Sequence, residues 1–264
     1  MNRTQGSEDG ASRADWTGTL FLSLTRAVYV GPARDTDPHQ HHAIQICVAL
    51  DEPFLLRPGP QQPWRPCRTA VIGADVDHQL DGRAARHVLI YLDPETPDGR
   101  RIVPPQSTSI APLSEALSAA LRESAAGAQD GQDADLYAAV SRCLALTPLE
   151  QRRLDPRVAL ALTIARQDPQ RFTSVAAVAA TVGLSPRRFR DLFARDTGIG
   201  CRRLMLWLRL HAAVRSLAHR STLTESAYAA GFSDSAHLSR TFRAMFGIAP
   251  SALSRGVRFV DVED

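Results

Sequence analysis

The stretch "TSVAAVAATVGLSPRRFRDLFARDTGI", residues 173–199, returns about 48 residues later as "STLTESAYAAGFSDSAHLSRTFRAMFGI", residues 221–248. Each copy carries an alanine, three further residues, a glycine and a serine-led segment that ends in Gly-Ile. Glycine accepts the left-handed backbone of a tight turn, and alanine lets two helices approach closely. The repeat therefore predicts two helix-turn-helix units, at about 173–196 and 221–246.

The second helix of each unit has its own start signal. In the first copy, Ser185 is placed as the N-cap and Pro186 as the first helical residue. In the second copy, Ser233 and Asp234 are both suitable caps, and the sequence leaves the choice between them open.

Apolar side chains at i, i+4 spacing fix which face of each second helix is buried. Phe189 and Phe193 form such a pair in the first unit, and Leu238 and Phe242 form one in the second. The opposite face then carries short polar side chains and arginines, which can contact base edges and phosphates in a major groove. These candidate DNA-binding residues are Ser185, Arg187, Arg188, Arg190, Asp191, Ser235, Ala236, Ser239, Arg240 and Arg243.

The charge distribution supports a nucleic-acid partner for the same region. Residues 1–151 have a net charge of -6, whereas residues 152–258 have a net charge of +12. Every basic residue is an arginine, whose planar fork suits phosphate oxygens and guanine edges. The segment 201–219 between the two units predicts a long helix that would hold the two recognition helices apart. We expect them to enter successive major grooves of double-stranded DNA, roughly 34 Å apart.

The sequence "AYAAGFSDSAHLSRTFRAMFGIAPSAL", residues 227–253, resembles the second helix-turn-helix of the AraC/XylS family of bacterial transcription regulators. The likeness extends back to about residue 156 and implies an all-α DNA-binding domain over 156–256. It also implies a regulator, more often an activator, that works with RNA polymerase. Two features depart from the family: "GIGCRRL" lacks a proline, and Asp191 stands where a basic residue is common.

By the same resemblance, six of the outward positions would contact bases. They are Arg187, Arg190, Asp191, Ser235, Ala236 and Arg240.

The N-terminal half has the pattern of a small β-domain. Short apolar or alternating runs between residues 16 and 92 are separated by proline, glycine and aspartate, which predicts a small barrel or sandwich. Two amphipathic helices follow, with Leu117 and Leu121 on the first and Val140 and Leu144 on the second. The family resemblance implies a cupin-like domain for sensing or dimerisation, here over 15–150. The predicted fold class is α+β.

Three histidines open the strand "DPHQHHAIQICVAL", residues 37–50. Side chains alternate along a strand, so His42 shares a face with Ile44 and Ile46, whereas His39 and His41 lie on the other. We expect His42 to look into the barrel and the pair His39 and His41 to lie outside.

A fourth histidine, His78, lies in "ADVDHQLDG", which resembles the second cupin motif. The predicted effector-binding residues are therefore His42, Ile44, Ile46 and His78. The candidates for a metal are His39, His41 and His78. However, no glutamate follows His41 at the spacing of cupin enzymes, and we expect no metal or other cofactor.

Other functions remain open from the sequence. A metal-dependent cupin enzyme fused to a DNA-binding domain is the alternative to a regulator without enzymatic activity. A thiol redox switch through Cys47 and Cys67 is a weaker one, since the cysteines show no paired spacing. No stretch is apolar enough to span a membrane or to form a signal peptide, so a cytoplasmic protein is expected. A small-molecule effector and a homodimer are both left open.

Overall fold

The chain combines a sheet-rich N-terminal part with a helical C-terminal part, which confirms the predicted α+β class. The computed structural model describes residues 16–102, 110–126, 133–146, 154–168, 174–219 and 221–262. The predicted boundaries at 15, 150 and 173 fall outside these residues.

Ten strands lie in the described part of the chain. In chain order they are β1 (Gly18–Leu22), β2 (Arg26–Pro32), β3 (Ile44–Ala49), β4 (Phe54–Arg57), β5 (Arg65–Cys67), β6 (Thr69–Ile72), β7 (Gln79–Asp81), β8 (Arg86–Leu92), β9 (Ile110–Ala111) and β10 (Val257–Asp261).

Ten helices lie in the same residues, and none of these is long and apolar enough to cross a membrane. In chain order they are α1 (Pro97–Ile102), α2 (Glu115–Ala126), α3 (Asp133–Leu146), α4 (Pro156–Gln167), α5 (Val175–Thr181), α6 (Pro186–Thr197), α7 (Cys201–Ala218), α8 (Leu223–Ala229), α9 (Ser235–Phe246) and α10 (Ser251–Ser254).

The strands form two sheets. The larger sheet has the order β10-β1-β2-β8-β3-β6-β9, and the smaller has the order β5-β4-β7. The strand pairs of the larger sheet are antiparallel, except that β10 runs parallel to β1 with Val257 opposite Gly18. No sequence pattern predicted β10. This strand returns the end of the helical part to the edge of the N-terminal sheet, so the two parts share hydrogen bonds.

One face of the larger sheet is covered by α2 and α3. Ile44, Ile46 and Val48 of β3 pack in one buried cluster with side chains of these helices, including Leu121 and Val140. The buried positions include the predicted stripes at Leu117, Leu121, Val140 and Leu144. The apolar periodicity of the two helices therefore identified their buried faces correctly.

The other face of the larger sheet looks toward the smaller sheet and the helical part. Cys47 of β3 lies in a buried cluster with Phe54 and Leu80 of the smaller sheet and with Trp207 of α7. The inner face is thus the Gln45 and Cys47 face, and the predicted orientation is wrong. The reason is that all six residues of β3 are buried. Alternation separates the two faces of a strand but cannot rank them when both are covered.

The helical part contains two pairs of helices joined by tight turns, α5 with α6 and α8 with α9. Gly183 and Gly231 follow the first helix of each pair with φ of 66° and 78°, as the left-handed turn requires. Ala179 and Ala227 are fully buried where the helices approach. Between the pairs runs α7, whose 18 residues span about 27 Å.

Gly247 differs from the other turn glycines because it also touches the N-terminal part. It ends α9 with φ of 68°, and a Cβ there would collide with the backbone oxygen of Asp37 and lie 2.7 Å from Nδ1 of His39. A Cβ on Gly183, with φ of 66°, would meet nothing within 4 Å.

We predict different costs for alanine at these two glycines. Gly183→Ala bears only the strain of a left-handed residue and should lower the free energy of unfolding by about 1–2 kcal/mol. Gly247→Ala adds a backbone collision and should lower it by clearly more. Urea denaturation of both variants checks this, and equal losses would show that the contact of Gly247 with Asp37 is unimportant.

Candidate functional site

The outward face of α6 carries the predicted arginines. Arg187, Arg188, Arg190 and Asp191 are all exposed. None of the four forms a salt bridge with any residue that the structure describes. Phe189 and Phe193 are buried on the opposite side, as the pattern predicted. Three guanidinium groups are therefore available on one side of this helix.

The outward face of α9 is less uniform. Ala236 and Arg240 are exposed, whereas Ser235 and Ser239 are half-buried. The hydroxyl of Ser239 donates to the backbone oxygen of Ser235 at 2.8 Å. Arg243 is exposed, but its Nε lies 2.8 Å from Oδ2 of Asp37 in the N-terminal part. Arg240 is thus the freer of the two arginines on this helix.

Both second helices begin at polar caps. The Ser185 hydroxyl accepts a hydrogen bond from the backbone N–H of Arg188 at 3.3 Å, with Pro186 at the first helical position, as predicted. In the second pair the cap is Asp234, which accepts from the backbone N–H of His237 at 2.6 Å. The hydrogen bond from His237 stabilises the ionised carboxylate and lowers the pKa of Asp234.

Behind α7 and α9 lies a narrow apolar cavity between the two parts of the chain. Its volume is about 70 Å³. The N-terminal part lines it with Trp16, Leu20, Leu22, Ala27, Tyr29, Thr36, His39, Gln45, Leu80, Leu89 and Tyr91. The helical part lines it with Trp207, His211, Val214, Phe242, Phe246, Ile248 and Leu253. None of the four predicted effector residues lines this cavity, namely His42, Ile44, Ile46 and His78.

Polar contacts join the two parts around the rim of the cavity. Arg203 of α7 reaches Oδ1 of Asp75 and the side-chain oxygen of Gln40, each at 2.7 Å. The backbone N–H of Asp37 donates to the carbonyl oxygen of Gly247 at 2.8 Å. The loop before β3 is thereby fastened to the end of α9.

A buried ionic cluster joins α4 to the larger sheet. Nε2 of His42 lies 2.8 Å from Oε1 of Glu95, and Arg166 of α4 lies 2.7 Å from Oδ2 of Asp93. Burial opposes the charge on His42, but Glu95, Asp75 and Asp93 outweigh it and raise the pKa of His42 to about 10. A protonated imidazole cannot bind a cation. His42 therefore acts as an ion-pair partner in this cluster.

His39, His41 and His78 form a separate buried cluster at the inner face. Their ring nitrogens can offer one ligand atom each within 4.8 Å of one another. Burial, reinforced by His41, lowers the pKa of His39 to about 3, and burial also lowers the pKa of His41 and His78. All three rings are thus neutral at pH 7. The structure brings together the three histidines that the sequence named as metal candidates.

Several residues of these sites were not singled out from the sequence. Each of four polar residues has a partner far away in the chain, namely Asp37, Gln45, Glu95 and Arg166. No periodicity or motif marks such residues, because their role depends on a partner that only the folded chain supplies. The one sequence signal was the count of histidines and acidic residues around 35–45.

Comparison with known proteins gives the helical part a family. A family model described as a helix-turn-helix domain matches residues 178–256. Residues 178–256 are an AraC-type helix-turn-helix domain. The predicted resemblance to AraC-type regulators is therefore confirmed for this domain.

A curated relative supports the same assignment. The HTH-type transcriptional regulator GlxA of Rhizobium meliloti is 40% identical over 81 residues, which are 30% of this chain and 25% of that protein. The matched region thus spans only a quarter of the relative, and the likeness concerns the helix-turn-helix domain.

Solved structures share the fold over most of the chain. ToxT from Vibrio cholerae O395 aligns with a TM-score of 0.54 and 12% identity, over 86% of this chain and 96% of that chain. ToxT from Vibrio cholerae strain SCE256, with an unsaturated fatty acid bound, aligns with a TM-score of 0.53 and 9% identity, over 87% and 95%. At these identities the comparison establishes the fold.

We predict that the buried ion pair between α4 and the sheet is essential for stability. Arg166→Met leaves the Asp93 carboxylate buried without its main partner and should lower the free energy of unfolding by about 3–5 kcal/mol. Arg157→Met, on the same helix, removes an exposed pair with Asp155 and should change stability little. Chemical denaturation measures both, and similar small effects would refute the assigned role of Arg166.

Proposed function

We propose that the chain is a sequence-specific transcription regulator whose helices α6 and α9 enter successive major grooves of DNA. The observation that carries the proposal is the AraC-type domain with three exposed arginines on α6 that form no salt bridge with a described residue. The length of α7, about 27 Å, is of the order of the roughly 34 Å between successive grooves. The net charge of +12 over residues 152–258 favours the approach to phosphates.

In this proposal the two helices read DNA differently. Arg187, Arg188 and Arg190 give α6 the capacity for paired hydrogen bonds to guanine edges. On α9, Ala236 has no hydrogen-bonding side chain and Arg243 is engaged by Asp37. Base discrimination is therefore assigned mainly to α6, and phosphate contacts mainly to α9. Activation through RNA polymerase in the cytoplasm follows from the family resemblance.

We also propose that the N-terminal part is a cupin-like sensing domain that controls the helix-turn-helix domain. The cavity supports this role because residues of both parts line it. Anything bound there would touch Trp207 of α7 and Phe246 of α9 directly. One ToxT structure contains an unsaturated fatty acid, and this chain shares its fold.

The size of the cavity limits the effector in the form described. Drug-sized ligands usually need about 300–1,000 Å³, whereas this cavity has about 70 Å³. A long acyl chain would have to separate the two parts to enter. The helix-turn-helix domain carries the proposed role, which is regulatory. Burial also raises the pKa of Cys47 to about 12, which disfavours a thiol switch.

We predict that Arg190→Ala weakens specific DNA binding by about 1–3 kcal/mol, the value of one lost base contact. Arg202→Ala, at an exposed position of α7, should weaken binding to all duplexes alike, as loss of a phosphate contact does. Duplexes selected from a random pool, and scrambled versions of them, allow both affinities to be measured by fluorescence anisotropy. An equal loss on selected and scrambled duplexes from Arg190→Ala would remove its assigned role.

We predict that Asp37→Asn increases affinity for DNA by up to about fivefold, the value of an exposed ion pair. The substitution removes the carboxylate that holds Arg243 and leaves this arginine to the phosphates. Glu52→Gln, at an exposed position away from α9, is the control for the change in net charge. If both variants gain equally in the anisotropy assay, the contact between Asp37 and Arg243 has no specific effect.

A further inference from the structure

The hairpin that joins β4 to β5 carries concentrated positive charge in a part of the chain that is otherwise acidic. Its sequence, "RPGPQQPWRPCR" at residues 57–68, contains three arginines and no acidic residue. Residues 1–151 have a net charge of -6, and with these three arginines set aside their net charge is -9. We call residues 57–68 the arginine hairpin. A local patch of one sign attracts a partner of the opposite sign.

The three guanidinium groups are not neutralised by carboxylates of the residues that the structure describes. Nε of Arg57 donates to Oε1 of Gln79 at 2.8 Å. Nη1 of Arg68 donates to the backbone oxygen of Asp51 at 3.1 Å. Arg65 is exposed and forms no salt bridge within the described part of the chain. All three positive charges therefore remain available to an anionic partner.

The sequence of the arginine hairpin restricts its conformation. Four of its twelve residues are prolines, whose fixed φ removes freedom that a partner would otherwise have to freeze. The guanidinium carbon of Arg57 lies 4.4 Å from the ring centroid of Trp64, a cation–π contact that orients the arginine. On β5, at the edge of the smaller sheet, Pro66 has no N–H to offer a further strand. The hairpin is thus suited to contacts through its side chains.

The smaller sheet continues toward α9 through one further segment. Bridges from Asp35 to Asp81 and from His39 to His78 place residues 35–39 beside β7. The order across the sheet is then β5, β4, β7 and this segment. Because neighbouring strands are about 4.8 Å apart, β4 lies about 10 Å and β5 about 15 Å from the segment.

A line of contacts connects the arginine hairpin with α9. Nε2 of Gln79, the partner of Arg57, donates to the backbone oxygen of Thr36 at 2.8 Å. The next residue, Asp37, has its Oδ2 2.8 Å from Nε of Arg243 in α9. The hairpin and the second recognition helix therefore flank the same segment of the N-terminal part.

We propose that the arginine hairpin binds phosphates of the DNA backbone beside the major groove that receives α9. This groove is about 12 Å wide, which is similar to the distance between the hairpin and the segment that contacts α9. The backbone at the border of the groove would then pass the hairpin. Arg57, Arg65 and Arg68 supply the charge, and the N-terminal part contributes to DNA binding directly. The inference rests on the proposed function, because it requires α9 to lie in a groove.

The test measures the affinity of the full chain for DNA at increasing salt by fluorescence anisotropy. Arg65→Gln should weaken binding to selected and scrambled duplexes alike, because phosphates carry no sequence information. The slope of log affinity against log salt should become shallower by about 0.9 for one lost phosphate contact. The loss of affinity between 50 and 200 mM salt is then about 3.5-fold smaller than in the wild type.

Arg83→Gln is the matched control. Arg83 is also an exposed arginine of the N-terminal part, but it follows Asp81, at the end of β7 opposite to the end that pairs with Arg57. Its salt dependence should match that of the wild type. Circular dichroism shows whether both variants fold.

Neutral methylphosphonates, placed one at a time in a selected duplex, locate the contact. Substitutions that weaken the wild type but not Arg240→Ala mark the groove of α9. Substitutions that weaken the wild type and Arg83→Gln, but not Arg65→Gln, should border that same groove. If they border the groove of α6 instead, the proposed placement of the arginine hairpin is wrong.

The remaining outcomes are equally decisive. An unchanged salt slope in folded Arg65→Gln, or the same change in Arg83→Gln, would overturn the inference. Loss of transcription with RNA polymerase at unchanged DNA affinity would overturn it too and assign the hairpin to an acidic protein partner. A wild type that selects no duplex would contradict the proposed function and this inference with it. A wild type that selects duplexes while Arg65→Gln keeps its salt slope contradicts the inference alone.

Discussion

The arrangement of the molecule depends on the need to cover the inner face of the larger sheet. This face carries Leu20, Leu22, Cys47 and Leu89, and the three-stranded sheet supplies only a few apolar side chains against it. The helical part covers the rest with Trp207 and other side chains of α7 and α9. The helix-turn-helix domain therefore completes the hydrophobic core of the N-terminal part.

Apolar packing rather than charge dominates this contact. Burial of one large apolar side chain stabilises by about 1.5–3 kcal/mol, whereas an exposed ion pair contributes about 0–1 kcal/mol. Trp207 is buried, whereas the pair between Arg243 and Asp37 is largely exposed. The rim contacts consequently align the two parts, and the apolar core between them stabilises their association. Small polar changes at the rim can thus alter the contacts of α9 while the fold remains intact.

The cluster of His39, His41 and His78 lies at the same contact between the two parts. A buried polar cluster is costly unless each donor and acceptor finds a partner. Here backbone oxygens orient each Nδ1, and Gln45 meets two of the Nε2 atoms. The cluster lies between the sheet and Phe246 at the end of α9.

The sequence by itself determined the local features of the helical domain. The turns at Gly183 and Gly231, the cap at Ser185 and the buried face of α6 follow from residues within a few positions of one another, and all are found. The sheet is different, because every residue of β3 is buried and alternation cannot tell the inner face from the outer. Only the tertiary structure decided that His39 and His41, not His42, face the inside. It also placed β10 beside β1 and Arg166 beside Asp93, since these contacts join residues that are distant in the chain and carry no local signal.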